Sequence, residues 1–125
     1  ISFSDNLKVA MLFKVAGNYK EAMNYCNAML NQDPFAYAGF ACMAEIYLSV
    51  DRPDVALRVW NLALDRNKNN PRAYVDRALV KKAMGDLSGY NTDLKLAREY
   101  SPAISEEDSI IEDSLHPKIL ALSVR

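Results

Sequence analysis

Ala16-Gly17-Asn18-Tyr19-Lys20-Glu21-Ala22 is the stretch that decides how this chain is read. An apolar run ends on a small residue, glycine makes the turn, and Asn18 with Glu21 three positions later forms a capping pair that opens a new helix. The same grammar returns in Val50-Asp51-Arg52-Pro53-Asp54-Val55-Ala56 and again in Met84-Gly85-Asp86-Leu87-Ser88-Gly89-Tyr90. Ala22, Ala56 and Tyr90 stand 34 positions apart, and no insertion is needed to align the three stretches. A fixed period of this length marks a stacked repeat array.

Working outward, other columns keep the same step. Ala10, Ala44 and Ala78 fall in the middle of each first helix; Phe13 and Tyr47 follow three positions later, with Lys81 in the third copy. Cys26, Trp60 and Leu94 lie on the second helices, and Met29, Ala63 and Ala97 one turn further on. Two antiparallel helices approach closely only where small side chains meet, and the aromatics fill the space beside those points. One hairpin cannot bury its apolar face alone, whereas stacked hairpins can. Pro34, Pro53, Pro71 and Pro102, with Gly17 and Gly85, sit between apolar stretches as helix punctuation rather than as strand breaks.

This period and these residues resemble the tetratricopeptide repeat family over about residues 3–102. The carriers are Ala-Gly-Asn-Tyr-Lys-Glu-Ala at 16–22, Met-Gly-Asp-Leu at 84–87, Ala44 with Tyr47, Trp60 with Ala63, and the helix-ending prolines. The chain departs from the family pattern at Asn6, Arg77, Lys81 and Tyr90, where an aromatic, a Leu, a Tyr and an Ala are usual. The resemblance implies an all-α fold, a right-handed superhelical array of antiparallel helix hairpins. Its repeats would span about 3–36, 37–70 and 71–102. First helices are expected over about 4–16, 35–50 and 72–84, and second helices over about 19–32, 53–67 and 87–100. Asp33-Pro34 and Asn70-Pro71 read as N-caps followed by proline. Beyond the repeats, Ser105 with Glu106, Glu107 and Asp108 reads as the start of a capping helix within 103–116, followed by an apolar tail, 117–125.

Composition bounds the function. The 125 residues are half hydrophobic and a quarter charged, as in an ordinary soluble domain, and the formal net charge is −1. Residues 103–125 hold five acids and two bases, so the body is near neutral and the tail acidic. Such a balance gives no electrostatic pull towards nucleic acid or an anionic membrane. Arg72, Lys8, Lys14 and Lys82 could share a face, but Glu45 and Asp76 would interrupt a basic stripe. No apolar run is long enough to span a membrane, and no secretory signal pattern is present. The chain opens on Ile1 rather than Met, as a processed or trimmed piece would; of the compartments, the cytoplasm is favoured. Cys26 and Cys42 are expected as free, half-buried thiols packing as small hydrophobes, rather than as a disulfide.

Catalysis needs a constellation of residues, and none is legible. His116 stands alone beside Pro117; two cysteines 16 positions apart make a poor zinc site; no Gly-rich phosphate loop exists. Asp51 and Asp54 are read as helix caps rather than as a catalytic pair. No catalytic residue, metal or cofactor is expected.

The resemblance places ligands on a concave surface lined by the first helix of each repeat. The positions it implies are Ser4, Leu7, Lys8, Met11, Lys14 and Val15 in copy one. In copy two they are Ala38, Ala41, Cys42, Glu45 and Leu48, and in copy three Arg72, Val75, Asp76, Leu79 and Lys82. One subclass grips acidic chaperone tails with a basic and amide clamp. The matching positions here are Leu7, Met11, Cys42, Arg72 and Asp76, of which only Arg72 has the right chemistry. A chaperone carboxylate-clamp ligand is therefore not expected. The expected function is non-enzymatic: a peptide or helix of a protein partner held in an apolar groove. The alternative is a structural or oligomerisation segment of a larger repeat scaffold, with a homodimer left open. Val9, Met11, Leu12 and Phe13 make the first helix rather apolar for a free end. The tail 118–125 could lie in this groove or in that of a second copy.

Overall fold

A computed structural model of the chain describes residues 1–109. Six α-helices follow one another: α1 (Phe3–Val15), α2 (Tyr19–Gln32), α3 (Tyr37–Ser49), α4 (Pro53–Arg66), α5 (Pro71–Ala83) and α6 (Leu87–Tyr100). A single 3-10 turn, Glu106–Asp108, comes after them. Each helix packs on its neighbours in sequence, and α1 also touches α3. The result is the tetratricopeptide-like array of helix hairpins that the 34-residue period implied.

The alanine columns explain why the hairpins close. Ala10, Ala44 and Ala78 on the first helices are buried, as are Ala22, Ala56 and Ala97 on the second helices. With no side chain beyond Cβ, these positions let the backbones approach, and Phe40, Trp60 and Met29 fill the space alongside. The turns are equally local in origin. Gly17 and Gly85 adopt φ of 79° and 85°, the left-handed region that glycine enters without a Cβ penalty. Asp51 holds the same column at φ 62°, a conformation that short polar side chains tolerate better than most. It therefore serves the turn and does not cap a helix, contrary to expectation. Asp54 instead lies in the first turn of α4, paired with Arg52 and, more loosely, with Arg58.

Helix starts follow side-chain capping at Asn18, Asn70 and Asp86, which accept from the backbone N–H groups of Glu21, Arg72 and Gly89. Asp33-Pro34 does not open α3. Asp33 ends α2 and folds its carboxylate back onto the Phe35 N–H, so α3 begins later, at Tyr37. The expected capping helix opens with Ser105 as its N-cap, but only as the 3-10 turn; Ser109 is already extended. The rest of that segment and the apolar tail lie outside the described residues.

Three of the four departures from the family pattern are explained by polar contacts. Asn6 is buried and donates to the Gln32 side chain at 3.0 Å. Arg77 and Lys81 flank the fully buried Asp93. Arg77 grips this carboxylate bidentately at 2.9 and 2.7 Å, and the Lys81 ammonium is 3.0 Å away. Where copy three loses an apolar pair on α5, it gains a buried ion triad with α6.

The cysteines overturn the free-thiol expectation. Cys26 on α2 and Cys42 on α3 are joined by a disulfide across a Cα–Cα distance of 5.8 Å. That distance falls within the range a disulfide spans without backbone movement. The bond ties copy one to copy two within the cluster formed by Ala22, Met29 and Ile46.

Candidate functional site

Leu7, Ala10, Met11 and Lys14 recur at helical spacing on α1, and Ala38, Ala41, Cys42 and Glu45 do so on α3. These eight residues line a cavity of about 140 Å³ between the two first helices. The hollow exists because three of its positions are alanine. Leu7 and Met11 supply an apolar, adjustable wall, with Met11 40% exposed. Lys14 and Glu45 form an ion pair at the rim, both largely withdrawn from solvent. The disulfide fixes the Cys42 side of the wall to α2. The lining is thus apolar apart from one charged pair, the make-up usual for ligand pockets.

The other expected groove positions are distributed differently. Lys8 is exposed and is not among the residues lining this cavity. Leu48, Val75 and Leu79 are buried in the core and do not line this cavity. They read as groove residues because one helical stripe serves both the inner face and the inter-helix packing, and only neighbouring helices separate the two roles. Asp76 is also fully buried; it accepts hydrogen bonds from Tyr37 and Ser109. Burial and this carboxylate hold the Tyr37 phenol well above its ordinary range.

Arg72 is exposed, stacks over the Tyr37 ring and donates from Nε to the Asp108 carbonyl at 3.2 Å. Glu106 accepts from the Tyr90 hydroxyl and lies 3.6 Å from Lys82. The segment after α6 thus folds back onto α5, so the copy-three end of the expected surface is occupied by the chain itself. A cap over the last repeat is what Ser105-Glu106-Glu107-Asp108 led one to expect; the described part of it is a 3-10 turn, and Tyr90, an aromatic in an alanine column, supplies one of its contacts. Among the described residues, no group of three His, Cys, Asp or Glu side chains could hold a metal ion. No helix among them is long and apolar enough to cross a membrane.

Comparison with known proteins bears on the fold. No family model matches the chain. It is 27% identical over 81 residues to a TPR repeat-containing thioredoxin of Arabidopsis thaliana, covering 65% of this chain and 21% of that protein. It is 26% identical over 102 residues to a FAM10 family protein of the same plant, covering 80% of this chain and 23% of the relative. The chain therefore spans about a fifth of the length of these relatives. Among solved structures, the Yersinia enterocolitica type III secretion translocator chaperone SycD superposes with a TM-score of 0.72 at 16% identity, over 98% of this chain and 87% of that one. SycD in complex with a peptide of the translocator YopD superposes with a TM-score of 0.68 at 17% identity, over 97% and 92%.

The fold is thus a tetratricopeptide-like array whose structural neighbours are protein-binding chaperones. This likeness corrects the partner expectation, which had set a chaperone carboxylate-clamp ligand aside: the solved structures of this shape are translocator chaperones. That exclusion rested on the missing basic clamp at Leu7, Met11, Cys42 and Asp76. The solved arrays of this shape include a chaperone in complex with a translocator peptide.

Proposed function

We propose that this chain is a binding module, without chemistry of its own, that holds a segment of a partner protein against its first helices. The cavity between α1 and α3 is the anchor point and takes one apolar side chain of that segment. The observation that carries this reading is the cavity itself. It is a hollow lined by alanines, with Leu7 and Met11 as an apolar wall and a shielded Lys14–Glu45 pair. The likeness to SycD bound to a YopD peptide supports a peptide as the ligand class. The folded-back segment 106–109 leaves the α1–α3 end as the accessible part of the inner surface.

The test is selection of a phage-displayed random peptide library on the purified chain, followed by calorimetric titration of the enriched peptides. Enriched peptides should share an apolar residue, and Met11→Glu should weaken them at least about tenfold. That loss corresponds to about 1.4 kcal/mol. Met11 is exposed enough for its thermal midpoint to stay unchanged. Peptides that bind Met11→Glu as tightly as the unmodified chain would move the site elsewhere.

A further inference from the structure

The repeat period allows each face of α1 to be compared with its copies 34 and 68 residues later. Leu12 is 71% exposed, whereas its counterparts Ile46 and Val80 are 3% and 0% exposed. Val15 is 85% exposed, whereas Ser49 and Ala83 are 8% and 3% exposed. Lys8 is exposed too, and its counterparts Cys42 and Asp76 are buried. Residues 8, 12 and 15 form one stripe at helical spacing.

What covers this stripe in the inner copies is visible. On α3, Cys42 is bonded to Cys26 of α2, and Ile46 shares a cluster with Cys26 and Met29. On α5, Val80 and Ala83 share a cluster with Trp60, Ala63 and Leu64 of α4. In both cases the covering element is the second helix of the repeat before. On α1 Leu12 and Val15 keep the stripe apolar, and among the described residues no helix covers it. A chain end meant to face water would carry polar residues there, because stacked repeats need a polar outer cap to stay soluble.

We infer that the outer face of α1 is a docking surface for the second helix of a further helical repeat, stacked on Leu12 and Val15 as α2 stacks on α3. The occupant is an amphipathic helix with an apolar stripe of the Cys26–Met29–Leu30 or Trp60–Ala63–Leu64 kind. It continues the stacking interface already present twice in the chain. The aliphatic stem of Lys8 packs beside it and carries the ammonium to the rim. This surface is separate from the α1–α3 cavity, which neither Leu12 nor Val15 lines.

The test places a known second helix on this face. Residues 37–70 are joined ahead of Phe3 in place of Ile1-Ser2, which preserves the period and sets a copy of α4 before α1. The extended chain should unfold in one transition, with a higher urea midpoint and an m-value about a third larger, as for four coupled repeats instead of three. Leu12→Asp should abolish that midpoint gain in the extended chain and leave the midpoint of the unextended chain unchanged. A second extension built from residues 3–36 repeats the test if the first does not fold. Separate unfolding of the added repeat, or an equal effect of Leu12→Asp in both chains, would overturn the inference. So would an unextended chain that is a dimer in light scattering and is dissociated by Leu12→Asp, since a second copy would then be the occupant.

Discussion

Asp93 is the residue whose loss should harm this fold most. Its carboxylate is fully buried and serves two cations at once, Arg77 at 2.7 Å and Lys81 at 3.0 Å. The side chains of Arg77 and Lys81 are only 17% and 20% exposed, and Asp93 is the carboxylate that both cations share, although Arg77 also donates to the Asn61 side chain. Asp93→Ala leaves two half-buried positive charges facing each other across a cavity. Breaking a buried ion pair from one side costs about 3–5 kcal/mol. Against a total stability of roughly 5–15 kcal/mol, that is a large fraction. For a domain of this size it corresponds to a fall in Tm of about 12–20 °C, taking about 4 °C per kcal/mol. The triple change Arg77→Leu, Lys81→Tyr and Asp93→Val removes all three charges. It restores the apolar residues that the family pattern places on α5 and that Val59 occupies on α4. Replacing a complete buried ionic group by packed apolar side chains is commonly neutral or stabilising. Urea denaturation of the three proteins, unmodified, single and triple, checks this. A single variant losing less than about 1 kcal/mol, or a triple variant losing as much as the single, would refute the claim that uncompensated charge causes the loss.

Two further outcomes follow from individual contacts. Reduction of the Cys26–Cys42 bond, which closes a loop with a sequence separation of 16, should lower unfolding stability by about 3 kcal/mol on the chain-entropy estimate; the denaturation midpoint with and without reductant reads this directly, and an unmoved midpoint counts against a structural role for the bond. The hydrogen bond to Glu106, helped by partial burial, pushes the Tyr90 phenol up to about 12, so the neutral form is favoured in the folded chain. The stability this contributes is complete below pH about 10, the ordinary phenol value, and is lost as pH rises through about 12. Ring-labelled tyrosine NMR should show Glu106→Gln returning this titration towards its ordinary value, and an unshifted curve would remove Glu106 as the cause.

Much of the fold is legible because its determinants are short-range. The turn chemistry of Gly17 and Gly85, the caps at Asn18 and Asn70, and the helical spacing of apolar residues all act within a few positions. The helix bounds accordingly agree with expectation to within one or two residues at most ends. The exception, Asp33-Pro34, fails because an Asp side chain serves an Asx turn as readily as an N-cap. Of the positions expected in a groove, Leu7, Met11, Lys14, Ala38, Ala41, Cys42 and Glu45 line one cavity. Leu48, Val75 and Leu79 were not separable from them, since an inward-facing stripe looks alike whether it meets solvent or another helix.

The sequence by itself determined the period, the alternation of first and second helices and the alanine contacts, because a 34-residue repeat with local punctuation leaves little choice of architecture. Only the tertiary structure decided which side chains meet across helices. Cys26 and Cys42 face each other because α2 and α3 pack with that rotation, which their separation in sequence does not encode. Asp93 is buried between Arg77 and Lys81 because α6 lies against α5, and Ser109 reaches Asp76 because the chain turns back after Tyr100. The open face of α1 belongs to the same class: Leu12 and Val15 look like Ile46 and Ala83 in sequence, and only the absence of a second helix over them in the described structure sets them apart.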